Sequence, residues 1–178
     1  MSDAGRIGAL APPLELPDTG GVTVGLPAPG AASATVVVWT CNHCPYALAW
    51  HDRIVATAHD YADRGVRFLA VNSNDADRYP ADSPAAMRER FERERWPFPY
   101  LWDESQEAAR AWGALVTPHL FVLDGDLRIR YAGAPDADHR DPSQNAAWLR
   151  SALDAVLEGG EPEPARTEPV GCSVKWKP

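Results

Sequence analysis

Thr35-Val36-Val37-Val38-Trp39 is an unbroken β-branched and aromatic run that leads, after Thr40, into Cys41-Asn42-His43-Cys44-Pro45. A run apolar on both faces has the composition of a strand buried at the centre of a sheet. From Pro45 the spacing becomes helical, with Leu48, His51, Ile54, Val55, Ala58 and Tyr61 on one stripe until Gly65 stops it. Val66 to Val71 then reads as a second buried strand. Strand, helix and strand of this length form a βαβ unit, with parallel strands and a right-handed crossover. A chain committed to that unit builds a sheet covered by helices, and its cysteine pair falls where the first strand ends.

The remaining segments extend this α/β plan. Pro12, Pro13, Pro17, Pro27 and Pro29 leave room only for short extended pieces at Leu14 to Leu16 and Val22 to Val24, a lead-in hairpin. Asn72 to Pro80 reads as a polar loop. Ser83-Pro84 caps and opens a charged helix ending near Trp96-Pro97, and Pro97 to Leu101 is short and extended. Glu104 to Trp112 is a short helix closed by Gly113. Leu120 to Leu123 and Leu127 to Ala132 flank Asp124-Gly125 as an antiparallel hairpin, and a helix carrying Leu149, Leu153, Val156 and Leu157 follows Asp141-Pro142-Ser143. The expected architecture is a mixed central sheet flanked by helices. With 178 residues, 45% of them hydrophobic, one domain over residues 1–160 is expected, followed by an extended tail over 161–178.

Charge and cysteine count narrow the function. A formal net charge of −8 argues against nucleic acid as a partner. Three cysteines are too few for a disulfide scaffold, so redox or metal chemistry is the better expectation. No apolar stretch approaches the roughly 20 residues of a membrane span, and the first residues lack the apolar run of a secretory signal. The expected compartment is the reducing cytoplasm, with no membrane partner and no cofactor.

A Cys-x-x-Cys pair at a strand-to-helix junction meets unpaired backbone N–H groups and the positive end of the helix dipole, which favour thiolate over thiol. Cys41 is the expected nucleophile and Cys44 the resolving thiol. His43 either tunes the Cys41 sulfur by hydrogen bond or charge, or is an exposed loop histidine. Thr117-Pro118 immediately precedes the strand expected beside the cysteine-bearing one. A cis bond there would set the Thr117 backbone against the sulfurs with its N–H and C=O free for a substrate peptide, and a trans bond would simply start a strand.

These segments together resemble the thioredoxin fold, with an N-terminal β extension and with residues 72 to 112 similar to the inserted strand and helix of the TlpA-like and peroxiredoxin branch. Trp39 to Tyr46, Val71 to Asp75, Phe98 to Leu101 and Gly171-Cys172-Ser173-Val174-Lys175-Trp176-Lys177 look like the peroxiredoxin-like group of bacterial thioredoxin-family proteins. The resemblance implies a redox-active Cys41/Cys44 pair and a cis Pro118. Two departures stand out. The strand before Cys41 carries no acid of the kind thioredoxins bury there, which leaves proton transfer to Cys44 unassigned. The threonine that peroxiredoxins place three residues before the peroxidatic cysteine is replaced by Val38 before Cys41 and by Cys41 before Cys44.

Cys172 is either an additional resolving thiol or a packing residue in the tail. His51 and His59 are expected to be satisfied helix residues, and His119 to face the sulfurs if it faces any site. Trp39, Trp96, Trp102, Trp112 and Trp148 read as core or groove wall, Arg88 to Arg95 as a solvated helix face, and Asp136, Asp138, His139 and Asp141 as polar loop and cap. The expected activity is thiol–disulfide exchange with a disulfide-containing protein or small disulfide, through a mixed disulfide on Cys41, with a separate reductant. A thiol peroxidase acting on a peroxide is the alternative. A zinc module is the third reading, weakened because only one Cys-x-x-Cys is present.

Overall fold

The structure, a computed structural model, describes residues 4–178. The cysteine-bearing strand is Ala34–Trp39 (β3), and every one of its residues is buried. Helix Pro45–Tyr61 (α1) follows, extended by a 3-10 turn over Ala62–Arg64. Gly65 ends the turn with φ 75°, a left-handed conformation that glycine adopts without the Cβ clash other residues meet. Strand Val66–Asn72 (β4) then pairs parallel to β3, Val37 opposite Leu69, completing the βαβ unit.

The N-terminal hairpin consists of Glu15–Pro17 (β1) and Thr23–Gly25 (β2), antiparallel to each other. After β4 come helix Pro84–Glu94 (α2), strand Tyr100–Trp102 (β5) and helix Glu107–Trp112 (α3). Ser83 caps α2 by accepting from the Ala86 N–H at 3.2 Å, with Pro84 in the first turn. Val116–Thr117 (β6) and the cis Thr117–Pro118 bond lead into strands His119–Asp124 (β7) and Ile129–Gly133 (β8). Helix Ala147–Leu157 (α4) and the short strand Cys172–Ser173 (β9) complete the chain. The main sheet has the order β5-β4-β3-β7-β8, with β7 and β8 antiparallel to their neighbours. This mixed sheet with helices on both faces is the thioredoxin fold.

Strand alternation divides the core between the two faces. Val36, Val38, Phe68, Ala70, Leu120 and Val122 pack with Trp50 and Ile54 of α1 and Leu149 and Leu153 of α4. Val37, Trp39, Leu69, Val71, Phe121 and Leu123 pack with Leu14 before the hairpin and Ala109 and Trp112 of α3. With both faces covered, β3 holds Cys41 at a rigid, fully buried end of the sheet.

Three polar segments behave differently from their sequence pattern. Asn72, Ser73, Asn74 and Asp75 are buried rather than a solvated loop, because their side chains and backbone serve as hydrogen-bond partners for neighbouring segments. Arg90 leaves the solvated face assigned to Arg88–Arg95: it is 4% exposed and its guanidinium lies 5.0 Å from the Trp96 ring. Asp136 is likewise an anchor rather than an open loop residue. Its carboxylate accepts from Trp50 Nε1 at 2.7 Å, from Arg53 Nη1 at 2.9 Å and from the Ala146 N–H at 2.9 Å.

Candidate redox site

Thr40 continues β3 with its N–H on the Val71 carbonyl at 2.9 Å, and Cys44 is the N-cap of α1 with Pro45 next. Cys41 and Cys44 are thereby folded back toward one another across a single turn. Neither residue has exposed surface, and both pack against Ala47 with the half-buried Cys172 beside them.

The surroundings of the two sulfurs differ. Cys41 Sγ lies 3.4 Å from Thr117 Oγ1 and is approached by the His43 backbone N–H. Cys44 Sγ donates to the Thr117 carbonyl at 3.1 Å and also shares hydrogen bonds with Cys172 and the Ala47 N–H. The strongest influence on each thiol is the hydrogen bond between them, which favours charge on one sulfur and holds the proton on the other. Burial and the Asp82 carboxylate push Cys41 up. The carbonyl of Thr117, however, is an acceptor only, so it holds a proton on Cys44, while the donors around Cys41 favour charge there. The two ionisations are coupled, so the titration belongs to the pair: its first proton leaves readily and its second is held.

The buried acid absent from the strand comes instead from the inserted segment. Asp82 closes a 3-10 turn over Pro80–Asp82 and has no exposed surface. Its carboxylate accepts from the Asn42 N–H at 2.6 Å, from Asn72 Nδ2 at 3.1 Å and from Asn74 Nδ2 at 3.0 Å, and pairs with His43 Nδ1 at 2.5 Å. The His43 ring, stacked on Tyr79, is thus directed to Asp82, and what reaches the Cys41 sulfur is the His43 backbone N–H. Arg90 completes the frame by donating to the Cys41 carbonyl at 3.0 Å and to Asn42 Oδ1 at 3.2 Å, and Tyr100 donates to the same Asn42 oxygen at 2.9 Å. Asn42, Asp82, Arg90 and Tyr100 have no sequence spacing that marks them as site residues. The segments that carry the resemblance contain Asn42, Asn72 and Tyr100, but neither Asp82 nor Arg90.

Cys41, His43 and Asp82 offer ligand atoms within 4.8 Å of one another. They fit a metal poorly, since the Asp82 oxygens already accept four hydrogen bonds and the trio lacks the fourth ligand that zinc takes.

The tail does not leave the Thr117 edge open. Strand β9 pairs antiparallel with β6, Thr117 opposite Cys172 and Val116 opposite Ser173. Val174 is buried and donates to the Leu115 carbonyl at 3.0 Å. The Lys175 N–H donates to Asn74 Oδ1 at 2.8 Å, and Gln106 Nε2 bridges the Ser73 and Lys175 carbonyls at 2.7 and 2.8 Å. The sequence segments 71–75 and 171–177 thus meet around the sulfurs. His119 turns the other way, stacking on Phe121 and accepting from the Leu115 N–H at 3.3 Å.

A dithiol between a central strand and its helix, set against a cis-proline turn, defines a thioredoxin-fold redox protein. A model described as the AhpC/TSA family matches residues 7–132, and the chain belongs to that family. An uncharacterized conserved protein from Geobacillus kaustophilus is 40% identical over 99% of this chain and 95% of its own, with a TM-score of 0.90. A hypothetical protein from Sinorhizobium meliloti 1021 is 33% identical over 97% of this chain and 95% of its own, also with a TM-score of 0.90. Peroxidoxin BcpB from Mycobacterium tuberculosis shares the fold at 18% identity, covering 86% of this chain and 96% of its own, with a TM-score of 0.64. No curated protein matches the chain.

Proposed function

We propose that the protein is a thiol–disulfide oxidoreductase whose working pair is Cys41 and Cys44. The observation that carries this reading is the burial of two free thiols together at the N-terminus of α1, with the Thr117 carbonyl placed to accept from Cys44 at 3.1 Å. In the forward direction the Cys41 thiolate attacks one sulfur of a partner disulfide. That S–S bond breaks as the mixed disulfide forms, and the departing thiolate takes a proton. Cys44 then attacks the Cys41 sulfur, releasing the second partner thiol, so the partner gains two electrons and the pair becomes a disulfide. The partner is a disulfide-containing protein or a small disulfide, and a dithiol reductant resets the pair. A reducing cytoplasmic setting is consistent with such a cycle. Replacing Cys41 by Ser is expected to abolish reduction of insulin disulfides with dithiothreitol as donor; full activity in that variant overturns the assignment.

Hydroperoxide reduction is the second reading. It is favoured by the complete burial of both sulfurs, which suits a small substrate better than a folded one. The missing threonine before either cysteine weighs against it. Peroxide-driven oxidation no faster than that of free cysteine decides for disulfide exchange, and oxidation many-fold faster decides for the peroxidase.

A further inference from the structure

Cys172 packs against the cluster formed by Cys41, Cys44 and Ala47. Of the pair, Cys44 is the sulfur that meets the Thr117 carbonyl, at 3.1 Å, and hydrogen bonding couples it to Cys172. Cys172 sits on β9, directly opposite Thr117. This is the strand edge at which an added peptide would pair in a sheet-edge recognition mode, so the tail lies as a docked peptide would lie, with its cysteine at the sulfurs. The placement is close-fitting. A Cβ on Gly171 would collide with the Thr117 carbonyl oxygen, so only glycine lets the tail approach this near. Val174, Lys175 and Gln106 then fix the segment on the Cys172 C-terminal side. Burial adds a second asymmetry, since Cys41 and Cys44 have no exposed surface and Cys172 is half-buried.

We propose that β9 is a tethered substrate strand and that Cys172 exchanges disulfides with the working pair at Cys44, carrying oxidising equivalents from the sealed pair toward solvent. This rests on the reading of Cys41 and Cys44 as a redox pair. In the oxidised protein the Cys172 thiolate attacks Cys44 Sγ. The Cys41–Cys44 bond breaks, the Cys44–Cys172 bond forms, and Cys41 leaves as a thiolate that takes up the proton lost by Cys172. One disulfide replaces another with no net change in electrons, so no further oxidant enters the step. An external dithiol then meets the disulfide at its outer sulfur, Cys172, and returns all three residues to thiols while itself becoming a disulfide.

Disulfide mapping of the full chain tests this. The protein is equilibrated in glutathione buffers, quenched with acid, alkylated, digested with trypsin and read by mass spectrometry. A Cys44–Cys172 link joins two separate peptides, whereas a Cys41–Cys44 link stays within one. The expected result is both species in the oxidised protein, with Cys41 alkylated in proportion to the cross-linked form. The cross-link should persist in Cys41→Ser and be lost in Cys44→Ser. An oxidised protein holding only Cys41–Cys44, with Cys172 fully alkylated, overturns the tethered-strand proposal and leaves the dithiol reading standing. A cross-link that persists in Cys44→Ser overturns it as well, by placing the exchange at Cys41. Absence of any disulfide in the wild-type chain overturns both readings.

Discussion

Asp82 Oδ1 accepts the backbone N–H of Asn42, the residue immediately after Cys41, at 2.6 Å. A carboxylate from the segment between β4 and α2 thus fixes the turn that carries the sulfurs. Its charge also opposes ionisation of Cys41. Replacing Asp82 by Asn is expected to shift the pH profile of Cys41 alkylation to lower pH, because the repulsion goes while the shape is kept. Replacing it by Ala leaves buried donors of Asn42, Asn72 and Asn74 unpaired and should cost about 3 kcal/mol or more in urea unfolding. An Asn variant with an unmoved alkylation profile would show that the carboxylate does not act on the thiols.

Arg90 provides a contrast within a single helix. Arg88 and Arg93 make exposed i,i+4 pairs with Glu92 and Glu89, and Met at either position should change stability by less than about 0.5 kcal/mol. Met at Arg90 removes the donor to the Cys41 carbonyl and should cost roughly 2 to 4 kcal/mol, measured by the same unfolding experiment. Equal effects at Arg90 and Arg93 would contradict the structural role assigned to Arg90.

Two histidines set an acid limit on stability. Burial, reinforced by Arg90, pushes His51 down to about 4, and burial, reinforced by Arg166, pushes His119 down to about 4, both from 6.5. Both are neutral in the folded protein, while the unfolded chain takes up protons below 6.5. Their contribution is therefore complete above pH 6.5 and is lost as pH falls from there toward 4. Each contributes a slope of up to about 1.4 kcal/mol per pH unit in that window. Unfolding free energies measured across it should fall by that order, and His119→Gln should remove about half of the slope. A flat profile would mean that the rings are protonated in the folded state.

Gly171→Ala should release the tail. Overpacking of this kind costs roughly 1 to 3 kcal/mol, which converts to about a five- to 140-fold rise in the undocked fraction. The rate of Cys172 alkylation in the reduced protein should rise by a similar factor. An unchanged rate would show that Cys172 reacts from the docked position.

The sheet was legible because its strands obey local rules. β3 and β4 are apolar on both faces, Asp124-Gly125 marks the turn of the β7–β8 hairpin, and Ser83-Pro84 and Gly113 bound helices by their own chemistry. The cysteine pair could be placed for the same reason, as it sits at a junction between two such elements. Its surroundings could not. Asp82 contacts a residue 40 positions earlier, and nothing in Pro80-Ala81-Asp82-Ser83 separates it from a solvated acid such as Asp77. Arg90 shares its alternating-charge context with Arg88 and Arg93, and only the packing of α2 over the Cys41 turn distinguishes it. The Thr117 edge was expected to stay free for a partner. It is filled by residues more than 50 positions onward, a long-range pairing that no local pattern announces.

The central claim is that Cys41 and Cys44 interconvert between dithiol and disulfide as one unit. The most direct measurement is a titration of the Cys172→Ser chain in glutathione buffers of graded potential, with thiols trapped by acid and counted by mass after alkylation. The expected result is a single transition in which both thiols disappear together as an internal disulfide. Thiols lost one at a time as separate glutathione adducts, or two thiols that stay alkylatable at every potential, would contradict it.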